Sequence, residues 1–401
     1  MSTDQKEVIK ATIPVLRENG VLLTRHFYSR LLSHNPELKN VFNMGNQQNG
    51  RQQTALAMAV LAYAEHIDNP AVLMPVINGI GNKHVSLNIQ PEQYAIVGKH
   101  LIASIEEVLG DAATPPIIEA WGLAYNQLAS IMSGHEQTIY QHQREQQGGW
   151  NGWKPFVVAK KATESTEITS FYLYPADGGP IADFKPGQYL SVRLFLPQLD
   201  LLQPRQYSIS NAPNGKYYRI SVKREAGNPE HADGMISNRL HDYIEEGHEI
   251  EISAPAGHFV IDPKISKDVV FISGGVGQTP LISMLESLIS EGSRVRKTWI
   301  HGCRKRDVHA FKDVLLSLGE NHELLENHFF YNEADEDQKA GVYKGWVDLN
   351  RLDLSDRLDA QFYICGPAPF IEMHYRTLVS KGITRDQIHY EEFGPLALNL
   401  N

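Results

Sequence analysis

"VVFISGGVGQTPLISMLESL", residues 269 to 288, passes from a continuous apolar run through three glycines into an amphipathic pattern. A buried strand, a tight turn and a helix produce that order, so the stretch predicts a βα unit of a parallel sheet. Gly274, Gly275 and Gly277 let the backbone approach a phosphate, whose charge a helix N-terminus favours. The third glycine of the G-x-G-x-x-G fingerprint is replaced by Pro280, near the helix start where a missing N–H does no harm. A plain βα loop could read the same way, and the neighbours decide. "VRKTWIHGC" (295–303), "NHFFYN" (327–332) and "AQFYICGP" (360–367) alternate with helical "PFIEMHYRTLVSKG" (369–382), as in repeated βαβ units. Residues 263–401 are expected to form this α/β domain.

Working outward, the hydrophobic period changes twice. Over residues 152–262, "FVVAKK", "ITSFYLYP", "GQYLSVRLFL", "YYRISVKRE" and "HEIEISAPAG" are short, β-branched and aromatic, with Gly, Pro and Asn between them. They predict an antiparallel barrel or sandwich. Residues 1–138 are helical in pattern: "QTALAMAVLAYAEHI" repeats apolar residues at three and four, and "QPEQYAIVGKHLIASIEEVLG" opens on Pro91 and closes at Gly110. Residues 139–151 fall in "QHQREQQGGWNGW", the end of a long helix and a linker.

Bulk composition narrows the function. A length of 401 residues exceeds what one core serves. With 37 basic and 47 acidic residues the net charge is -10, and no basic tract interrupts it, so nucleic acid is not an expected partner. Two cysteines suit a reducing compartment and argue against a disulfide scaffold or a thiolate-bound zinc site. No signal peptide or membrane-spanning run is evident, so a cytoplasmic, soluble monomer without obligate membrane association is expected.

His84, in "GNKHVSLNI" (81–89), ends an inward stripe of Leu73, Ile77 and Ile80. Alone it reads as a core histidine. Trp121, Tyr125, Leu128, Met132 and Glu136 form a second stripe that ends in a carboxylate, costly to bury unpartnered, and Tyr94 opens the inward face of Leu101 and Ile105. A buried His, Tyr and Glu could satisfy one another while the other ring nitrogen takes a metal. His66 and His100 are alternative inward histidines. Gln52 lies one turn before Leu56, Val60 and Tyr63, with Gln53 as its alternative.

"PGQYL" (186–190), "RQYSIS" (205–210), "GMISNRLHD" (234–242), "GGVGQTP", "CGP" (365–367) and "EEFGP" (391–395) in this order resemble the ferredoxin–NADP reductase family. "HFYSRLL", "NPELKNVFNM" and "PEQYAIVGKHL" make the N-terminal part look like a bacterial globin, and the fusion resembles the flavohaemoglobins over the whole chain. The resemblance implies a globin, a flavin-binding barrel and a nucleotide domain. It implies His84 as proximal haem ligand, hydrogen-bonded to Tyr94 and Glu136, with Lys83 beside it. Phe42 would wedge the haem, and Tyr28, Gln52 and Leu56 would line the ligand side. FAD would meet Arg205, Gln206, Tyr207, Ser208 and Tyr189, with Ser237 and its helix start offered to a phosphate. Glu391, Glu392, Phe393, Gly394 and Pro395 would close the flavin region. NADH, or less readily NADPH, would lie on Gly275, Val276, Gly277, Gln278, Thr279 and Pro280 and reach Cys365. The implied activity is a nitric oxide dioxygenase that turns nitric oxide and O2 into nitrate. An oxygen-binding or redox-sensing haemoprotein and a flavin reductase acting on hydroperoxides are the alternatives.

Overall fold

The computed structural model describes residues 1–48, 50–227, 232–333 and 340–394. Two compact units emerge: Met1–Trp153 with Arg193–Arg205, and Lys154–Val192 with Gln206–Asn401.

The first unit is helical: α1 (Thr3–Ala11), α2 (Ile13–His34), α3 (Met44–Gln48), α4 (Arg51–Glu65), α5 (Met74–Ser86), α6 (Pro91–Leu109) and α7 (Pro115–Glu145). Proline at N1, where no intrahelical N–H bond is lost, starts α6, and Gln90 and Gln93 close a reciprocal capping box there. The apolar stripes meet in two clusters. Ile9, Leu23, Tyr63, Ile105 and Trp121 build one, and Phe27, Tyr28, Leu31, Leu38 and Leu101 the other. Helices α6 and α7 approach closely at Gly98, where a Cβ would lie 2.4 Å from the Tyr125 ring.

The barrel strands are β1 (Trp153–Thr163), β2 (Ile168–Pro175), β3 (Tyr189–Leu196), β4 (Leu201–Ser208), β5 (Tyr218–Lys223) and β6 (Glu249–Ser253), ordered β4-β3-β6-β1-β2-β5. Antiparallel pairing of β1 with β2 and of β2 with β5 follows the alternating pattern. A bridge from Ile209, just past β4, to Ile220 on β5 joins the two edges, so the sheet closes and leaves little unpaired edge. Helix α8 (Met235–Tyr243) follows β5.

The second sheet, β10-β9-β8-β7-β11-β12, is parallel in every pair. Its strands are β7 (Val269–Gly274), β8 (Lys297–Cys303), β9 (Leu325–Tyr331), β10 (Val342–Lys344), β11 (Gln361–Gly366) and β12 (Ile388–Glu392). Helices α9 (Gln278–Ser290), α10 (Lys312–Asn321) and α11 (Ala368–Ser380) cover it. Strand β7 is apolar at successive positions because both faces are covered: Phe271 packs with Trp299 and Leu281, while Ile272 packs with Ile300 and Phe362. Strand order reverses between β7 and β11, which places a topological switch point at their carboxyl ends. Helix α9 is tied to the barrel by Ser283 Oγ donating to Asn211 O at 2.7 Å and by the Arg219–Glu286 ion pair at 3.0 Å. Among the described residues no helix is long and apolar enough to cross a membrane.

Candidate functional site

His84 occupies the last turn of α5, Tyr94 the first of α6, and Glu136 the middle of α7. Glu136 is 2% exposed, and its Oε1 accepts from Tyr94 Oη at 2.5 Å and lies 2.7 Å from His84 Nδ1. Two donors on one oxygen offset the cost of burying the carboxylate. Nδ1 faces that carboxylate and therefore carries the ring proton, which directs the Nε2 lone pair away from the triad. Burial, then the charge of Glu136, holds the Tyr94 hydroxyl well above its ordinary pKa, so it stays a donor. Tyr94 is itself placed from behind: Tyr125 donates to its carbonyl at 2.5 Å, across the close approach that Gly98 allows.

Tyr28 is buried on α2, with Phe42 edge-on to its ring at 5.6 Å, and Phe42, Leu56 and Tyr125 pack against the same cluster. Burial raises the Tyr28 hydroxyl well above its usual pKa, and a hydrogen bond from Gln52 opposes this. The Gln52 Oε1 accepts from Gln47 at 2.9 Å. Gln53 turns instead to Gln47. Lys83 is half-buried beside His84. Of the two alternative histidines, only His100 is inward as expected. His66 caps α4 and is exposed, because the stripe of α4 ends one residue past it at Ile67. His100 is inward but spends both ring nitrogens, on Arg30 at 2.6 Å and Asn35 at 3.0 Å.

In the barrel, Tyr189 exchanges backbone hydrogen bonds with Ala256 at 2.9 and 3.0 Å, and its ring lies over Gly257, where a Cβ would sit 3.0 Å away. Arg205 and Tyr207 alternate with Gln206 and Ser208 along β4, so each pair shares one face. Gln206 donates to Ser191 Oγ at 3.0 Å, and Ser208 is buried. Ser237 does not offer a free hydroxyl: it donates to Gly234 O at 3.1 Å and accepts from Glu225 N at 3.3 Å. Serine in a first helical turn commonly bonds nearby backbone, and that competes with a ligand.

At the switch point, Gly275–Gly277 form a 3-10 turn that runs straight into α9. A Cβ at Gly277 would lie 2.2 Å from Cys365 O, so only glycine brings the turn against β11. Gly275 and Val276 face outward more than Gln278, Thr279 and Pro280, which are buried. Both polar atoms of the Gln278 amide are buried without a partner. Cys365 pairs with Glu391 across β11 and β12. Burial raises the Glu391 carboxyl to about 8, and its Oε2 has no partner. Burial likewise raises the Cys365 thiol, with the Glu391 charge adding to it. Glu392 ends β12, Phe393 and Gly394 are exposed beyond it, and Pro395 lies outside the described residues.

A globin family model matches residues 25–132, and a model of the oxidoreductase NAD-binding domain matches residues 271–376. The flavohemoprotein of Bordetella parapertussis is 49% identical, over 98% of each chain. The chain belongs to the flavohemoprotein family. It is a globin joined to an oxidoreductase module. A crystal structure of a flavohemoglobin from Malassezia yamatoensis with bound FAD and heme is similar at a TM-score of 0.86 and 29% identity, covering 98% of this chain and 99% of that one. The flavohem-like FAD/NAD-binding domain of a nitric oxide dioxygenase from Vibrio cholerae is 35% identical, with a TM-score of 0.56, over 60% of this chain and 99% of that one.

In the sequence Tyr125 belongs to an apolar stripe, and nothing there marks Gly98. Tyr125 is four residues after Trp121, as any core aromatic is, and its hydroxyl partner becomes visible only when α6 lies against α7.

Proposed function

We propose that this flavohemoprotein is an NADH-dependent nitric oxide dioxygenase of the cytoplasm, acting as a monomer on nitric oxide and dioxygen. His84 is a fitting haem ligand: its Nδ1 is held by Glu136 and Tyr94, no hydrogen bond among the described residues engages Nε2, and 32% of the side chain is exposed. Gln278 and Glu391, with polar atoms buried and unpartnered, suit groups that complete a dinucleotide and flavin site. When bound, FAD takes hydride from NADH and passes electrons singly to a haem on which nitric oxide and dioxygen become nitrate.

The chain's own residues then divide the work. Tyr28, protonated and steadied by Gln52, donates to developing negative charge on the ligand side, while Phe42 and Leu56 keep that side apolar. Glu136 and Tyr94 fix the ring of His84 and make it a stronger donor. Arg205 carries the charge for a pyrophosphate, Tyr207, Ser208 and Tyr189 contact the flavin ring, and the turn from Gly275 to Pro280 takes the dinucleotide. The observation that carries the reading is the His84–Tyr94–Glu136 triad, with the Vibrio cholerae relationship in support. An absorption spectrum of purified protein tests it: haem and flavin bands appear together, and NADH bleaches the flavin before the haem changes. A protein lacking either chromophore overturns the proposal.

A further inference from the structure

His301 and Cys303 lie two residues apart on β8, on one face of the strand, and His309 follows the short turn Arg306–Val308. Their ligand atoms all lie within 4.8 Å of one another, and this is the one such cluster among the described residues. Both histidines are almost fully buried, at 0% and 4% exposure, with rings stacked at 4.4 Å. Each ring is held through Nδ1, His301 by Ser273 Oγ at 2.8 Å and His309 by Tyr331 Oη at 2.7 Å. Ser273 and Tyr331 sit on β7 and β9, level with His301 and Cys303, so three adjacent strands build the cluster. Each ring thus leaves its Nε2 buried with no partner.

We propose that His301 Nε2, His309 Nε2 and Cys303 Sγ bind a Zn2+ ion, with a fourth position open toward solvent on the half-buried Cys303 side. Two imidazoles and one thiol, with no carboxylate among them, select a borderline-soft ion over Mg2+ or Ca2+. The Ser273 and Tyr331 hydroxyls at both Nδ1 atoms are the outer support that fixes ligating rings, accepting from Nδ1–H when Nε2 binds the ion. Burial keeps both rings neutral, as ligation requires: His301 is pushed down to about 3 and His309 well below its ordinary value. The Cys303 thiol, raised to about 12 by burial and then by Glu167, is protonated in the metal-free protein and gives up that proton to bind. Bonds of about 2.0–2.3 Å around a tetrahedral ion set these donors about 3.3–3.6 Å apart, so the side chains draw together on binding. Two cysteines are too few for a site made of thiolates, but a mixed site needs only one. The ion would cross-link the end of β8 to the segment leading into α10, independently of the haem and flavin assignments.

The test uses the full-length protein with its haem and flavin, given one equivalent of Zn2+ and desalted. Elemental analysis finds about one zinc per chain, and zinc-edge X-ray absorption finds one sulfur at about 2.3 Å and nitrogens at about 2.0 Å. Mg2+ added in the same way is not retained. Cys303→Ser retains at least tenfold less zinc and loses the sulfur shell, with flavin and haem content unchanged. Cys365, fully buried on β11, cannot substitute. Wild-type protein that keeps no zinc, that binds it without sulfur, or that shares its sulfur shell with Cys303→Ser overturns the assignment.

Discussion

Glu136 Oε1 lies 2.7 Å from His84 Nδ1, and single substitutions test what that contact does. Glu136→Gln preserves size but removes the charge, so the iron–histidine stretching frequency of the reduced protein falls; resonance Raman reads it, and an unchanged frequency contradicts the partnership. Tyr28→Phe deletes one hydrogen bond to a charged ligand, about 1.5–3 kcal/mol, so dioxygen leaves the reduced protein roughly ten- to a hundredfold faster. Flash photolysis gives the rate, and no change would assign the donor elsewhere. His84, Tyr94 and Glu136 were legible in the sequence because helical spacing puts each on an inward stripe. What spacing could not decide was which histidine keeps a nitrogen for a ligand. His100 is as inward as His84, and only its bonds to Arg30 and Asn35 set it apart. The choice between Gln52 and Gln53 likewise turned on the start of α4, a matter of one residue.

At the scale of elements, the proposed dinucleotide site rests on the β7–α9 turn. Gly277→Ala places a methyl 2.2 Å from the backbone oxygen of Cys365, and backbone cannot rotate aside. The variant loses about 1–3 kcal/mol of stability in the reductase unit by urea unfolding, and its KM for NADH rises while flavin content holds. A normal KM would show that the turn does not touch the dinucleotide. Strand, turn and helix were readable here because burial on both faces makes β7 continuously apolar. For coenzyme choice, the prediction rests on two charged runs, one after β8 and one after β9. In the short stretch "CRKRD" (303–307) after β8, Arg304 is paired with Glu167 and Lys305 with Asp307, so much of its positive charge is met within the protein. The acidic run "YNEADEDQ" repels a 2′-phosphate, although its residues 334–338 lie outside those described. NADH therefore has the higher kcat/KM in steady-state assays, with NADPH tolerated; the reverse order would contradict this.

Over the whole molecule, two changes of hydrophobic period marked an all-helical part, an antiparallel barrel or sandwich and a parallel sheet. Period reports what each segment buries, and all three architectures appear. Closure of the barrel by Ile209 and Ile220 was not readable, since a barrel and a sandwich share the same alternation. In the proposed function the whole molecule works as a series: NADH, flavin, haem, then nitric oxide with dioxygen. The most direct measurement follows nitric oxide, NADH and nitrate together in aerobic protein. The account predicts rapid loss of nitric oxide, nitrate as product, one NADH consumed per two nitric oxide molecules, and near arrest when oxygen is withheld. Equal loss of nitric oxide without oxygen, yielding nitrous oxide, would contradict it.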